Sequence, residues 1–166
     1  GIVEMAYQEE PLAIIWCVRN DGELVALTYQ REQEVVAWHR HVFGGAFGSG
    51  NAVCESVAVI PTEDSEYELY MIIKRTINGA TKRYVEYLNT FDFDETDNTS
   101  FNFLDSQLSY SGSPATTISG LSHLEGLTVS ILADGATHPD KTVSSGSITL
   151  DRSASDVKIG LGYTSL

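Results

Sequence analysis

His39 and His41 are the first residues along the chain whose type and spacing could do chemistry. Two residues apart on an extended segment they project to one side, where a pair of imidazoles could hold a metal ion or pass a proton. No third ligand is evident, Arg40 points the other way, and neither a His-Glu helix motif nor a cysteine pair accompanies them. They read as polar positions on a strand. Asp92, Asp94 and Asp97 resemble the oxygen-rich start of a calcium loop, where alternating carboxylates converge on one hard cation. Such a loop also needs a glycine at its sharp turn and a glutamate at its twelfth position, where Phe103 stands, so a solvated linker is the simpler reading. Ser122 with His123, or Asp134 with His138, could serve a hydrolase. Sequence neighbours rarely build a triad, however, and no Gly-x-Ser-x-Gly elbow is present. The glycine-rich Gly44–Gly50 lacks the Lys-Ser or Lys-Thr ending that grips phosphates. Tyr7, Trp16, Tyr29 and Trp38 could stack on sugar rings, yet they lie in strongly patterned strands, which favours sheet or core packing. No catalytic, cofactor-binding or metal-binding residue is assigned, no cofactor is implied, and no enzyme activity is expected.

The elements that would position these residues are short and extended. Ala13 to Arg19, Glu23 to Tyr29 and Glu34 to His41 are strand-length runs rich in Val, Ile, Tyr and Trp, and Asn20-Asp21-Gly22 supplies the turn between the first two. On the third run Val35, Ala37, His39 and His41 fall on one face, Val36, Trp38, Arg40 and Val42 on the other. After the Gly44 to Asn51 stretch, read as a flexible loop and an internal boundary, the pattern recurs. Glu55 to Ile60, Glu68 to Ile77 and Lys82 to Leu88 are strands, the last two joined by Asn78-Gly79. The two halves share a spacing near the roughly 40 residues of a propeller blade. Beyond Asn89 to Ser100, crowded with carboxylates, the segments Phe101 to Leu104, Ala115 to Ile118, Thr128 to Ala133, Ser147 to Asp151 and Val157 to Leu161 read as short strands. Ser119 to Leu124 is the only helical candidate. The expected architecture is all-β: antiparallel propeller-like sheets, about two blades, over residues 1–90, an acidic linker at 91–100, and a small β-barrel or sandwich module over 101–166.

Composition narrows the function classes. With 23 acidic against 10 basic side chains the formal charge is −13, which opposes tracking a phosphate backbone, and no sequence-specific nucleic-acid binding is expected. The richest basic stretch, Lys74-Arg75 with Lys82-Arg83 beside Glu68 and Glu86, reads as a solvated sheet face. Cys17 and Cys54 sit in apolar strands without metal-like spacing and read as buried free thiols, which fits a reducing compartment during synthesis. No secretory signal and no apolar run long enough to span a bilayer is present, so no membrane is expected. The chain opens on Ile2 to Tyr7 as a strand already in progress, which suggests a piece of something longer. Exposed edges at Ile2 and at Tyr163 to Leu166 predict self-association.

The blocks Glu23–His41, Glu55–Pro61, Ile77–Glu86, Ile118–Gly126 and Leu132–Gly135 resemble tail tube, nozzle or packaged-DNA stabilising structural proteins of double-stranded DNA bacteriophages. The part after residue 100 also resembles the small β module labelled the ubiquitin-activating-enzyme first cysteine half-domain, although residues 89–166 contain no cysteine that could carry such chemistry. The resemblance implies a non-enzymatic structural component of a virion tail, made in the bacterial host cytoplasm. Its partners would be other tail subunits, with a homo-oligomer in the intact assembly and DNA passage as a further role. A carbohydrate- or receptor-binding module of the tail and a tail-borne hydrolase are the alternatives.

Overall fold

Turn chemistry sets the hairpins. Asn78-Gly79, Asp134-Gly135 and Ser145-Gly146 all hold positive φ at both positions, the requirement of the primed two-residue turn that matches strand twist. The structure is a computed structural model that describes residues 1–62, 67–89 and 103–165. Its strands in chain order are β1 (Ile2–Gln8), β2 (Ile14–Arg19), β3 (Leu24–Gln30), β4 (Val35–Val42), β5 (Ala46–Phe47), β6 (Gly50–Asn51), β7 (Val53–Pro61), β8 (Tyr67–Ile77), β9 (Ala80–Tyr87), β10 (Asp105–Ser119), β11 (Thr128–Ala133), β12 (Ala136–Thr142), β13 (Ser147–Leu161) and β14 (Thr164–Ser165). Two single turns of 3-10 helix, Arg31–Gln33 and Ser122–Leu124, complete the described elements, the second inside the stretch read as helical. The fold is all-β, its register-matched strand pairs are antiparallel, and among the described residues no sheet closes into a barrel.

The chain divides into two compact units. One comprises Gly1–Arg75, Thr81–Thr90 and Thr164–Leu166; the other comprises Thr76–Ala80 and Phe91–Tyr163. In the first, the sheet β1-β2-β3-β4-β14 and the sheet β7-β8-β9 share a single core. Ile14, Trp16 and Val18 of β2 and Leu24 and Ala26 of β3 meet Cys54, Val57, Leu69, Met71 and Ile73 there. The Gly44 to Asn51 stretch, expected to be a flexible boundary, carries the small β5-β6 ladder, with buried Phe43 and Ala52 on either side of it. The linker expected at 91–100 lies outside the described residues.

The second unit is the sheet β10-β13-β11-β12 wrapped on its own core of Ile118, Leu121, Val129, Val143, Leu150 and Val157, among others. Where several short strands were expected, β10 and β13 run 15 residues each. They stay paired through register shifts at Asp105/Leu108, Ser111/Ala115 and Ala115/Thr117. Bulges of this kind bend a long strand and increase its twist, so a four-stranded sheet can enclose apolar side chains on one side.

Candidate functional site

The histidines at 39 and 41 do share one face, as their spacing requires, and that face is turned toward the core. Registers place Ala6, Trp16, Ala26 and His39 in one row across β1 to β4, with Val18, Leu24 and His41 in another. The His39 ring meets Trp16 edge-on, centroids 5.9 Å apart and planes at 88°, while the His41 ring lies 4.7 Å from that of Phe43. Burial lowers the His39 pKa, and the neighbouring His41 lowers it further. Trp16 is 4% exposed and its Nε1–H donates to Gln8 Oε1 at 2.9 Å, so this aromatic is a core residue. Among the described residues no three His, Cys, Asp or Glu side chains converge as metal ligands would.

Three of the hydrolase candidates, His123, Asp134 and His138, are committed to backbone. His123 Nε2 lies 3.1 Å from the Ser106 carbonyl oxygen, away from its neighbour Ser122. His138 is buried between an acceptor and a donor: Nδ1 lies 2.8 Å from the Pro139 carbonyl and Nε2 accepts the Asp151 N–H at 2.9 Å. This pairing fixes the hydrogen on Nδ1. Asp134 Oδ1 accepts the N–H groups of Ser155 and Asp156, both at 2.9 Å, and these bonds hold its carboxyl below the usual range. Asp134 and His138 are therefore two separate backbone braces. Glu125, which no sequence signal singled out, braces the Ser145-Gly146 turn by accepting both of its N–H groups. The carboxylates at 92, 94 and 97 lie outside the described residues.

Charged side chains in the first unit are likewise engaged. Arg75, read as part of a solvated face, is completely buried: its guanidinium makes a two-pronged pair with Glu86 and donates from Nε to the Gly44 carbonyl at 2.8 Å. The signal was present in the alternation Leu69, Met71, Ile73, Arg75, which puts the arginine in register with core residues. Glu55 lies between Arg83 and Lys74, whose hydrogen bonds pull its pKa down to about 2, and the Lys74 ammonium sits 4.4 Å above the Phe47 ring. Both cysteines are free and buried, and burial pushes the Cys54 thiol up to about 12 and raises that of Cys17.

What remains uncommitted is a surface. On the side of the β1-β4 sheet opposite its core, the cross-strand row Tyr7, Ile15, Leu27, Trp38 runs over four strands, flanked by Met5, Cys17 and Val25 on one side and Tyr29 with Val36 on the other. Ile2, Met5, Tyr7, Tyr29, Val36 and Trp38 are each 47 to 65% exposed. Among the described residues charge enters at the rim, where Arg19 pairs with Asp21 and Glu23, and where Arg40, which ends the Met5, Cys17, Val25 row on β4, also reaches Glu23. No protein-family model and no curated protein matches the chain. The face is therefore interpreted from its own chemistry. Its central row is aromatic and aliphatic, Met5 stands beside it, and the charges lie at the margin. Sequence alone marks the face indirectly: Ile14 to Val18 and Leu24 to Leu27 are continuous apolar runs, the pattern of strands covered on both sides.

Proposed function

We propose that this chain is a non-catalytic structural module of a double-stranded DNA bacteriophage tail, acting through subunit packing. The observation that carries the packing role is the uncovered apolar face of the β1-β4 sheet, since surface of this kind on a folded unit marks an interaction site. The tail assignment rests on the resemblance of the blocks between Glu23 and Gly135. The commitment of His123, Asp134 and His138 to backbone braces favours this over a tail-borne hydrolase. A role beside passing DNA suits the charge of −13, because an acidic wall repels phosphates. Carbohydrate binding would use the same aromatics, Tyr7, Tyr29 and Trp38. Sugars, however, also need polar groups for their hydroxyls, and Ile15, Leu27, Val25 and Val36 supply none between them. The test is mass spectrometry of purified virions, with antibody labelling in electron micrographs. Peptides of this chain in the tail support the assignment, and their absence from virions contradicts it.

A further inference from the structure

The occupant of the apolar sheet face can be narrowed by area, pattern and charge. Three of the six side chains, Tyr7, Tyr29 and Trp38, are aromatics of roughly 150–250 Å² each and are 47 to 61% exposed, which leaves on the order of 250–400 Å² uncovered from them alone; Ile2, Met5 and Val36 at 48 to 65% exposure add to it. A stable interface takes about 800 Å² from each partner, and the six exposed side chains together with the half-buried Ile15, Val25 and Leu27 and the charged rim approach that size. Its strands already carry apolar residues on both alternation sets, which is what a sheet sandwiched between two layers requires. The centre of the face bears no charge, and the rim bears both signs in Arg19, Arg40, Asp21 and Glu23. A strongly basic or strongly acidic partner would find one of these signs repulsive. An identical copy rotated about a two-fold axis supplies apolar against apolar and both signs against both.

We propose that the outer face of the β1-β4 sheet pairs with the same face of a second copy of this chain, sheet on sheet, with Trp38 and Tyr7 in the buried centre. The inference rests on the packing role proposed above and names its partner. Sheets stacked in this way sit about 10 Å apart with their side chains interdigitated. Two copies each at −13 repel at long range, so pairing strengthens as added salt shortens the Debye length from about 30 Å at 0.01 M toward 8 Å at 0.15 M.

The experiment is sedimentation equilibrium of the full chain over micromolar to hundreds of micromolar concentration at low and moderate salt. Trp38→Glu and Val85→Glu are compared with it. Both residues are exposed, and Val85 lies on β9, in the other sheet. The expected result is a mass rising from 18.1 kDa toward twice that value, further at the higher salt. This rise is lost in Trp38→Glu and kept in Val85→Glu. A monomer throughout, or equal loss in both variants, overturns the pairing. So does shielding of Trp38 from acrylamide that appears only when a glycan is added. The tail assignment fails separately, through absence of the chain from virions even where the dimer forms.

Discussion

Arg75 and Glu86 show how a charged residue becomes structural. A fully buried guanidinium is tolerable only with its donors met, and here the Glu86 carboxylate and the Gly44 carbonyl meet them. Arg75→Met leaves the Glu86 carboxylate without its partner and should cost about 3–5 kcal/mol in urea unfolding. Adding Glu86→Leu removes the orphaned charge and should restore much of that loss; equal stability of single and double variants would contradict the coupling. Glu55 is a second case, governed by pH. Its pKa, about 2 in the folded chain against an ordinary 4.5, means that the folded state holds the charged form more tightly. Its contribution is therefore complete above pH about 4.5 and is lost as pH falls toward 2. Glu55→Gln should flatten the stability profile across that window while leaving neutral-pH behaviour nearly parallel; an unchanged acid slope would refute the assignment.

At the scale of elements, the turn between β2 and β3 depends on one glycine. Gly22 sits at φ +83°, and a Cβ there would come within 2.2 Å of Val53 Cγ1. Gly22→Ala should cost about 2–4 kcal/mol, combining left-handed strain with overpacking. Gly48, at φ +60° with nothing within 4 Å, serves as the control, and Gly48→Ala should cost only about 1–2 kcal/mol. Thermal unfolding of the two variants decides it: a smaller loss at Gly22 than at Gly48 would remove the steric argument. Much at this scale was legible in the residues. Asn78-Gly79 forms the expected turn, and the runs through Trp16, Leu27 and Trp38 are strands in the expected alternation. The length of β10 and β13 was not legible, because Ser111 to Pro114 and Asp151 to Asp156 have turn composition. Pairing across the sheet keeps them extended, with bulges absorbing the mismatch. Nor was β12, since Pro139 argues against a strand; it is an edge strand, where proline costs no ladder bond, and β10, which carries Pro114, is the opposite edge.

For the whole molecule, fold and candidate site differ in how far the residues reveal them. Alternation and turns specify which segments are extended, so the all-β class follows directly. They do not say which alternation set is covered. Ile14 and Ile15 look alike in sequence, yet Ile14 is in the shared core and Ile15 belongs to the row between Tyr7 and Trp38 on the open side. From the residues alone Tyr7, Tyr29 and Trp38 look like packing aromatics for this reason, and only the placement of the second sheet separates them from Trp16. On a chain of net charge −13 this patch carries no charge at its centre, so association through it costs little electrostatic work. The packing role proposed for this chain requires that patch to be covered. Hydroxyl-radical footprinting of the full chain, read by mass spectrometry at low and at high concentration, tests it most directly. The expected result is that oxidation of Met5, Tyr7 and Trp38 falls together at high concentration while that of Tyr87 and Val85 on β9 does not change. Equal oxidation of Met5, Tyr7 and Trp38 at every concentration would contradict it.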